Sequence, residues 1–205
     1  MDFAMTDEQE LLLESVREFC DRYFTEDVIK EMYETGDMPD EIAEAYRDAG
    51  FGLMGIPEEY GGIPCDKVTL GMMIEELYHS SGCNHILYQN SLTAFDIVEF
   101  GTPEQIQKYM DAYMETGWPL CSLSISEPGA GSDNRNMSCT AKKQDVGKYR
   151  LNGPKKWVTM GDKLPYTIGV ATDEDSSGDH HKQPLWLIEL DRQGVSYAGL
   201  SNDGK

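Results

Sequence analysis

Residues 126–133, Ser-Glu-Pro-Gly-Ala-Gly-Ser-Asp, bring together the residue types that can hold an anion. Gly129 and Gly131 flank Ala130 and free the backbone to turn sharply. Successive N–H groups can then point into one concavity, a nest suited to negative charge. The hydroxyls of Ser126 and Ser132 would add donors. The stretch is not a Walker loop, because no Gly-Lys-Ser/Thr follows it. Nor is it a dinucleotide fingerprint, since Asn134 stands where a third glycine belongs and strands rather than a helix follow. Taken alone, a Gly-Ala-Gly turn is open to two readings, a plain tight loop or a ligand cradle. Other chemistry-bearing types argue for little. His79 and His85 are six apart, wrong for ligands on one helical face, and the adjacent His180-His181 pair lies in a polar loop, so no metal site is assigned. Five cysteines, no two closer than 18 residues, fit neither a disulfide framework nor a CxxC motif and read as idle thiols of a reducing cytosol.

The elements that must position this segment follow from periodicity. Before it, Cys121, Leu123 and Ile125 alternate with Ser122, Ser124 and Ser126, the period of a half-buried strand. After it, Tyr149-Arg150-Leu151 runs into Asn152-Gly153, which predicts a two-residue hairpin turn with Lys155–Thr159 as the return strand. Tyr166–Thr172 and Leu185–Leu190 are two further strands, separated by a polar loop from Asp173 to Gln183. Upstream the period changes to that of helices. Thr6 and Gln9 form a capping box, followed by an inward stripe of Leu12, Val16, Phe19, Cys20 and Tyr23. A second helix opens at Pro39, carries Ile42, Ala45, Tyr46 and Ala49 inward and stops at Gly50. Leu70, Met73, Ile74, Leu77 and Tyr78 make a third stripe; Tyr88, Leu92, Phe95 and Val98 make a fourth, ending at Gly101. The last helix starts with Thr102, Pro103 and Gln105, faces inward with Ile106, Tyr109, Met110, Tyr113 and Met114, and stops at Gly117.

Charge divides the chain at the same place. Residues 1–118 hold 26 acids and 6 bases, whereas residues 119–205 hold 11 of each, within a chain of 205 residues and net charge −20. Two units are therefore expected, a helical domain over 1–118 and a β domain over 119–205. A chain without a basic excess in either half does not suit nucleic acid. The acidic N-terminus lacks the basic start of a targeting peptide. No apolar run approaches the roughly 20 residues that span a bilayer, so a cytoplasmic protein with no membrane partner is expected.

The wider pattern resembles the acyl-CoA dehydrogenase family. Its flavin loop, a Ser/Thr-Glu-Pro-x-Ala-Gly-Ser-Asp run closing the first strand of the middle domain, is matched by Leu123 to Asp133. Its later Asn-Gly-x-Lys-x-aromatic-Ile/Val-Thr/Ser stretch is matched by Asn152 to Thr159, and its Pro-Glu-Glu-Tyr-Gly-Gly turn by Pro57 to Gly62. Met1-Asp2-Phe3 with Thr6 to Glu10 is typical as well, and the flavour resembles the bacterial branch that includes crotonobetainyl-CoA reductase. The resemblance implies FAD as cofactor. Ile125 would cover the isoalloxazine, Ser126 would bond its edge, Trp157 would shield one flank with Val158 beside it, and Thr159 would donate on the N5 side. Gly131 and Ser132 would meet the cofactor phosphates, with Ser132 shared by the acyl-CoA tail. Leu123 replaces an aromatic common at its position, and Met160 replaces the usual Asn or Ser. Lys155 and Lys156 read either as phosphate contacts or as a solvated strand edge.

The resemblance also implies a reaction, removal of two hydrogens across Cα–Cβ of an acyl-CoA thioester or the reverse enoyl-CoA reduction. It implies an acyl-CoA substrate, electron-transfer flavoprotein as a partner, and a homo- or hetero-oligomer. The family's base is a Glu on a C-terminal helical domain, and no such domain follows the strands before Lys205. No catalytic residue is therefore assigned. The expectation is an α+β chain: an all-α helical bundle followed by an incomplete antiparallel β-barrel-like domain, the N-terminal part of an FAD-dependent acyl-CoA dehydrogenase, inactive alone. The competing expectations are a non-catalytic subunit completing a flavin site with another chain, and a same-fold flavin oxidase or monooxygenase.

Overall fold

In the computed structural model, residues 4–83, 85–174 and 183–199 are described, and the chain divides into two compact units, Met1–Pro119 and Leu120–Lys205. His180-His181 and most of the polar loop lie outside the described residues. Among the described residues no helix is long and apolar enough to cross a membrane.

The first unit is helical. Helix α1 (Asp7–Tyr23) starts at the expected capping box: Gln9 N donates to Thr6 Oγ1 at 3.2 Å and Thr6 N to Gln9 Oε1 at 3.0 Å. It packs on α4 (Lys67–Ser81), where Gln9 Nε2 donates to Thr69 Oγ1 and Arg17 pairs with Glu76, each at 2.8 Å. Between them lies α2 (Glu26–Thr35), a helix that the stripes do not predict. It buries no residue fully; Val28, Ile29 and Met32 rest half-buried against the core, so its apolar signal is weak. Helix α3 (Asp40–Asp48) places Pro39 at the N-cap rather than in the first turn. It buries Ile42, Ala43 and Tyr46 but leaves Ala49 exposed, a correction to the expected stripe.

The Pro57–Gly62 motif forms one 3₁₀ turn, Glu58–Tyr60, stopped by a left-handed Gly61 at φ 80°. Gly62 must be glycine, because a Cβ there would lie 2.3 Å from the Ile56 carbonyl oxygen. Helix α5 (Leu87–Phe100) turns a different face inward from the one expected. Leu87, Thr93, Ala94 and Ile97 are buried while Leu92 is 42% exposed. Thr93 tolerates burial because its hydroxyl donates to the Gln89 carbonyl at 3.0 Å and lies 3.3 Å from the Tyr109 hydroxyl. Helix α6 (Pro103–Thr116) has the predicted capping box, proline and glycine stop, though Met114 is exposed. The core gathers Val16, Cys20, Tyr46, Met73, Leu77 and Leu87.

The second unit holds two three-stranded sheets. In one, β1 (Cys121–Ser124) runs parallel to β4 (Tyr166–Val170), with Leu123 opposite Ile168, and β4 pairs antiparallel with β6 (Leu185–Glu189). In the other, β2 (Thr140–Asp145) pairs antiparallel with β3 (Lys148–Asn152) and parallel with β5 (Thr172–Asp173). The sheets are thus mixed rather than antiparallel throughout, and among the described residues they do not close into a barrel. Along β1, Cys121, Ser122 and Ser124 are buried and Leu123 is half-buried. Ser122 Oγ and Ser124 Oγ donate to the Tyr166 and Ile168 carbonyls, each at 3.4 Å, while Thr167 Oγ1 donates to the Ser122 carbonyl at 3.1 Å and lies 3.0 Å from Ser124 Oγ, so the buried hydroxyls are satisfied.

The Asn152-Gly153 hairpin is overturned. β3 pairs instead with the preceding β2 across a Val146-Gly147 turn, Gly147 having φ 72°. Residues 153–158 form no strand, and two non-glycine residues between 153 and 160 take left-handed backbones, Trp157 at φ 58° and Met160 at φ 55°. Gly153, at φ 140°, lies so close to Cys139 that a Cβ would sit 2.8 Å from its Cα.

Candidate functional site

Strand β1 hands the chain to Ile125, whose side chain is 41% exposed, with Leu123 half-buried on the same face. Beyond it, Glu127 N donates to the Ala130 carbonyl at 2.8 Å and Ala130 N to the Glu127 carbonyl at 3.2 Å, closing a tight turn over Pro128-Gly129. Neither Gly129 nor Gly131 takes a left-handed backbone, and the Ala130 amide is spent inside the turn. The predicted nest of successive N–H groups is therefore not formed. The glycines do something else: a Cβ at either would meet nothing within 4 Å among the described residues. Gly131 and Ser132 are exposed.

The second flank comes from the segment after β3. Lys156 N donates to the Ser126 carbonyl at 2.8 Å, which lays residues 155–157 alongside 125–127. Trp157 follows with its indole 64% exposed and the Lys156 ammonium 4.6 Å from its ring centre. Val158 is half-buried, its carbonyl accepting from Gly161 N at 3.1 Å, and Thr159 is exposed. The hydrogen bonds thus bring Ile125, Ser126 and Trp157 onto neighbouring stretches of backbone. Gly131 and Ser132 belong to the loop that leaves them.

Glu127, which sequence reasoning leaves in a structural role, is the hub of this region. Its side chain is 1% exposed. Lys155 Nζ donates to Oε1 at 2.9 Å and Cys139 N at 3.1 Å, while Ser138 donates to Oε2 from its backbone N–H and from its hydroxyl at 2.7 Å. Burial alone would raise the carboxyl's pKa, but these donors, Lys155 foremost, hold it down at about 2. Lys155 is not a solvated edge: its ammonium donates to Glu127 and to the Ile125 carbonyl at 3.1 Å. The one hint in the sequence is an acid standing between a serine-lined strand and a proline.

A flavin needs an apolar platform for its ring, polar groups at the ring edge and donors for its phosphates. Ile125 and Trp157 offer exposed apolar area, and the hydroxyls of Ser126, Ser132 and Thr159 have no hydrogen-bond partner among the described residues. With bare backbone at Gly129 and Gly131, this set fits such a group. Among the described residues no cluster of three or more His, Cys, Asp or Glu stands ready for a metal.

Comparison with known proteins agrees with the geometry. Residues 6–116 match the family model "Acyl-CoA dehydrogenase, N-terminal domain" and residues 122–203 match "Acyl-CoA dehydrogenase, middle domain". A curated relative, "Probable acyl-CoA dehydrogenase YdiO" of Escherichia coli, is 34% identical over 204 residues, covering 100% of this chain and 53% of its own length. Among solved structures, one described as "Electron transferring flavoprotein of Acidaminococcus fermentans" is similar with a TM-score of 0.82 and 27% identity, covering 98% of this chain and 53% of that one. The FAD complex of PigA is similar with a TM-score of 0.79 and 25% identity, covering 95% and 51%. The chain spans about half the length of the curated relatives it matches. It belongs to the acyl-CoA dehydrogenase family, whose N-terminal and middle domains it carries.

Proposed function

We propose that the chain supplies the helical domain and the flavin-facing β surface of an FAD-dependent acyl-CoA dehydrogenase, acting in α,β-dehydrogenation of an acyl-CoA thioester or its reverse. The observation that carries this is the exposed surface of Ile125 and Trp157 with Ser126 between them, beside two glycines where a Cβ would meet no described residue within 4 Å. Leu123 and Ile125 would lie under the ring, Trp157 with Val158 would flank it, and Ser126 and Thr159 would bond its edge. Gly131 and Ser132 would receive the phosphates, Ser132 also the acyl-CoA tail. Bound FAD would supply the hydride acceptor.

Within this chain the residues bind and orient; none is assigned the α-proton. Glu127 is unsuited to that task, because both its oxygens are engaged and its side chain is sealed from solvent. The split between an acidic unit and a neutral one suits docking to further chains, and an electron-transfer flavoprotein is the proposed electron partner. Free thiols at all five cysteines support a cytoplasmic setting.

Titration of the purified 205-residue chain with FAD tests the reading. Binding with a dissociation constant of about 1 μM or weaker is expected, near −8 kcal/mol at most. Added acyl-CoA should not bleach the flavin anaerobically. No flavin binding at millimolar FAD would refute the proposed surface, and rapid bleaching would refute the exclusion of a base from this chain.

A further inference from the structure

We infer that Glu127 and Lys155 form a positioning pair that sets where Trp157 and Thr159 stand relative to Ile125 and Ser126. This rests on the flavin-facing reading above, which it deepens. Residues 153–159 carry the second flank of the surface yet belong to neither sheet. What fixes them is a short set of bonds. Lys156 N reaches the Ser126 carbonyl, Cys139 Sγ reaches the Pro154 carbonyl at 3.2 Å, and Lys155 Nζ bridges Glu127 Oε1 and the Ile125 carbonyl.

The bridge spans the exit of β1 at the two residues that bracket Ser126. It thereby ties the backbone carrying Ile125 directly to the backbone carrying Trp157. Glu127 extends the tie to a third segment through the amides of Ser138 and Cys139, immediately before β2. Trp157 sits two residues beyond the bridge in a left-handed backbone that a non-glycine residue holds only when its surroundings impose it. Its own side chain is mostly exposed, so packing of the indole does not supply that constraint. The pair does. Removing either partner leaves a buried charge without its counter-ion, and the least costly relief is for the 155–159 segment to lift away.

A merely stabilising pair would behave differently, and amide exchange separates the two. In Lys155→Met, loss of a charge-assisted bond should speed exchange of the Lys156 amide about tenfold and weaken FAD binding about tenfold, while the Ile168 amide in the central strand β4 changes less than about twofold. Lys155→Arg, which keeps a cation, should restore both within about threefold. Equal acceleration at Lys156 and Ile168 would mean a global effect and would overturn the inference, as would unchanged exchange at Lys156. Should Lys155→Met not fold, Glu127→Gln, which removes the charge at nearly constant volume, is read by the same criteria. If the unsubstituted chain binds no FAD, the flavin reading fails, and exchange at Lys156 alone still decides the positioning role.

Discussion

Acidification between pH 6.5 and about 4 should destabilise the helical unit through one side chain, His85. The imidazole is 4% exposed and lies between two rings, its centroid 5.1 Å from that of Phe24 and 4.5 Å from that of Tyr78. Among the described residues neither ring nitrogen has a hydrogen-bond partner of good geometry, and the nearby Tyr78 hydroxyl donates instead to the His85 carbonyl at 2.7 Å. Burial lowers the ring's pKa from 6.5 to about 4, against a smaller opposing pull from the Leu77 carbonyl. Tyr78 and Cys83 do not titrate in this range, since burial pushes both upward. The sign follows from proton counting. Above pH 6.5 the ring is neutral in both states; between 6.5 and about 4 the unfolded chain binds the extra proton, so stability falls with pH; below about 4 the loss is complete. The gap corresponds to about 3 kcal/mol, a large part of the 5–15 kcal/mol typical of a domain. Glu127 gives the β unit a lower window. Its pKa is depressed from 4.5 to about 2, so its contribution is present above 4.5 and lost only as pH falls toward 2. Urea unfolding followed by far-UV circular dichroism across this range measures the helical loss directly. In His85→Phe, which keeps the aromatic stack without a titrating nitrogen, the part of the slope that lies above the carboxylate range, between pH 6.5 and 4.5, should largely disappear, while the depressed carboxyls of Glu76 and Glu104 keep their share below it. Parallel loss in the two proteins would refute the reasoning.

Two substitutions probe the β surface from opposite directions. Gly153→Ala must place its Cβ 2.8 Å from the Cys139 Cα in a backbone at φ 140°, and should lower stability by about 2 kcal/mol or more in thermal unfolding. A change under about 0.5 kcal/mol would show that the 139–153 approach relaxes freely. Trp157→Ala should leave stability within about 0.5 kcal/mol, because the indole is mostly exposed, yet weaken FAD about tenfold in a fluorescence titration. An unchanged affinity would remove Trp157 from the proposed surface.

What the amino-acid order revealed, and what it hid, have a common physical cause. Periodicity reports where apolar groups are buried, and helix caps report where backbone donors need partners. Thr6 with Gln9 and Thr102 with Gln105 were legible for that reason, as were the glycine stops at Gly50 and Gly117. Periodicity misleads wherever polar groups are buried because they satisfy one another. The inward face of α5 includes Gln89 and Thr93, and β1 buries Ser122 and Ser124 along with Cys121, so an apolar stripe alone misses buried residues in both. The Asn152-Gly153 turn failed for a related reason: Gly153 serves a close approach to Cys139 rather than a hairpin, and the residues after it answer to Glu127 rather than to a ladder. The residues proposed to face the flavin were singled out through a family motif, but the carboxylate that ties their segments together was not. Its partners lie 11, 12 and 28 residues away, and no local spacing links them. A strand that buries hydroxyls satisfied by its neighbours and leaves Ile125 exposed at its exit runs against the pattern used to find strands.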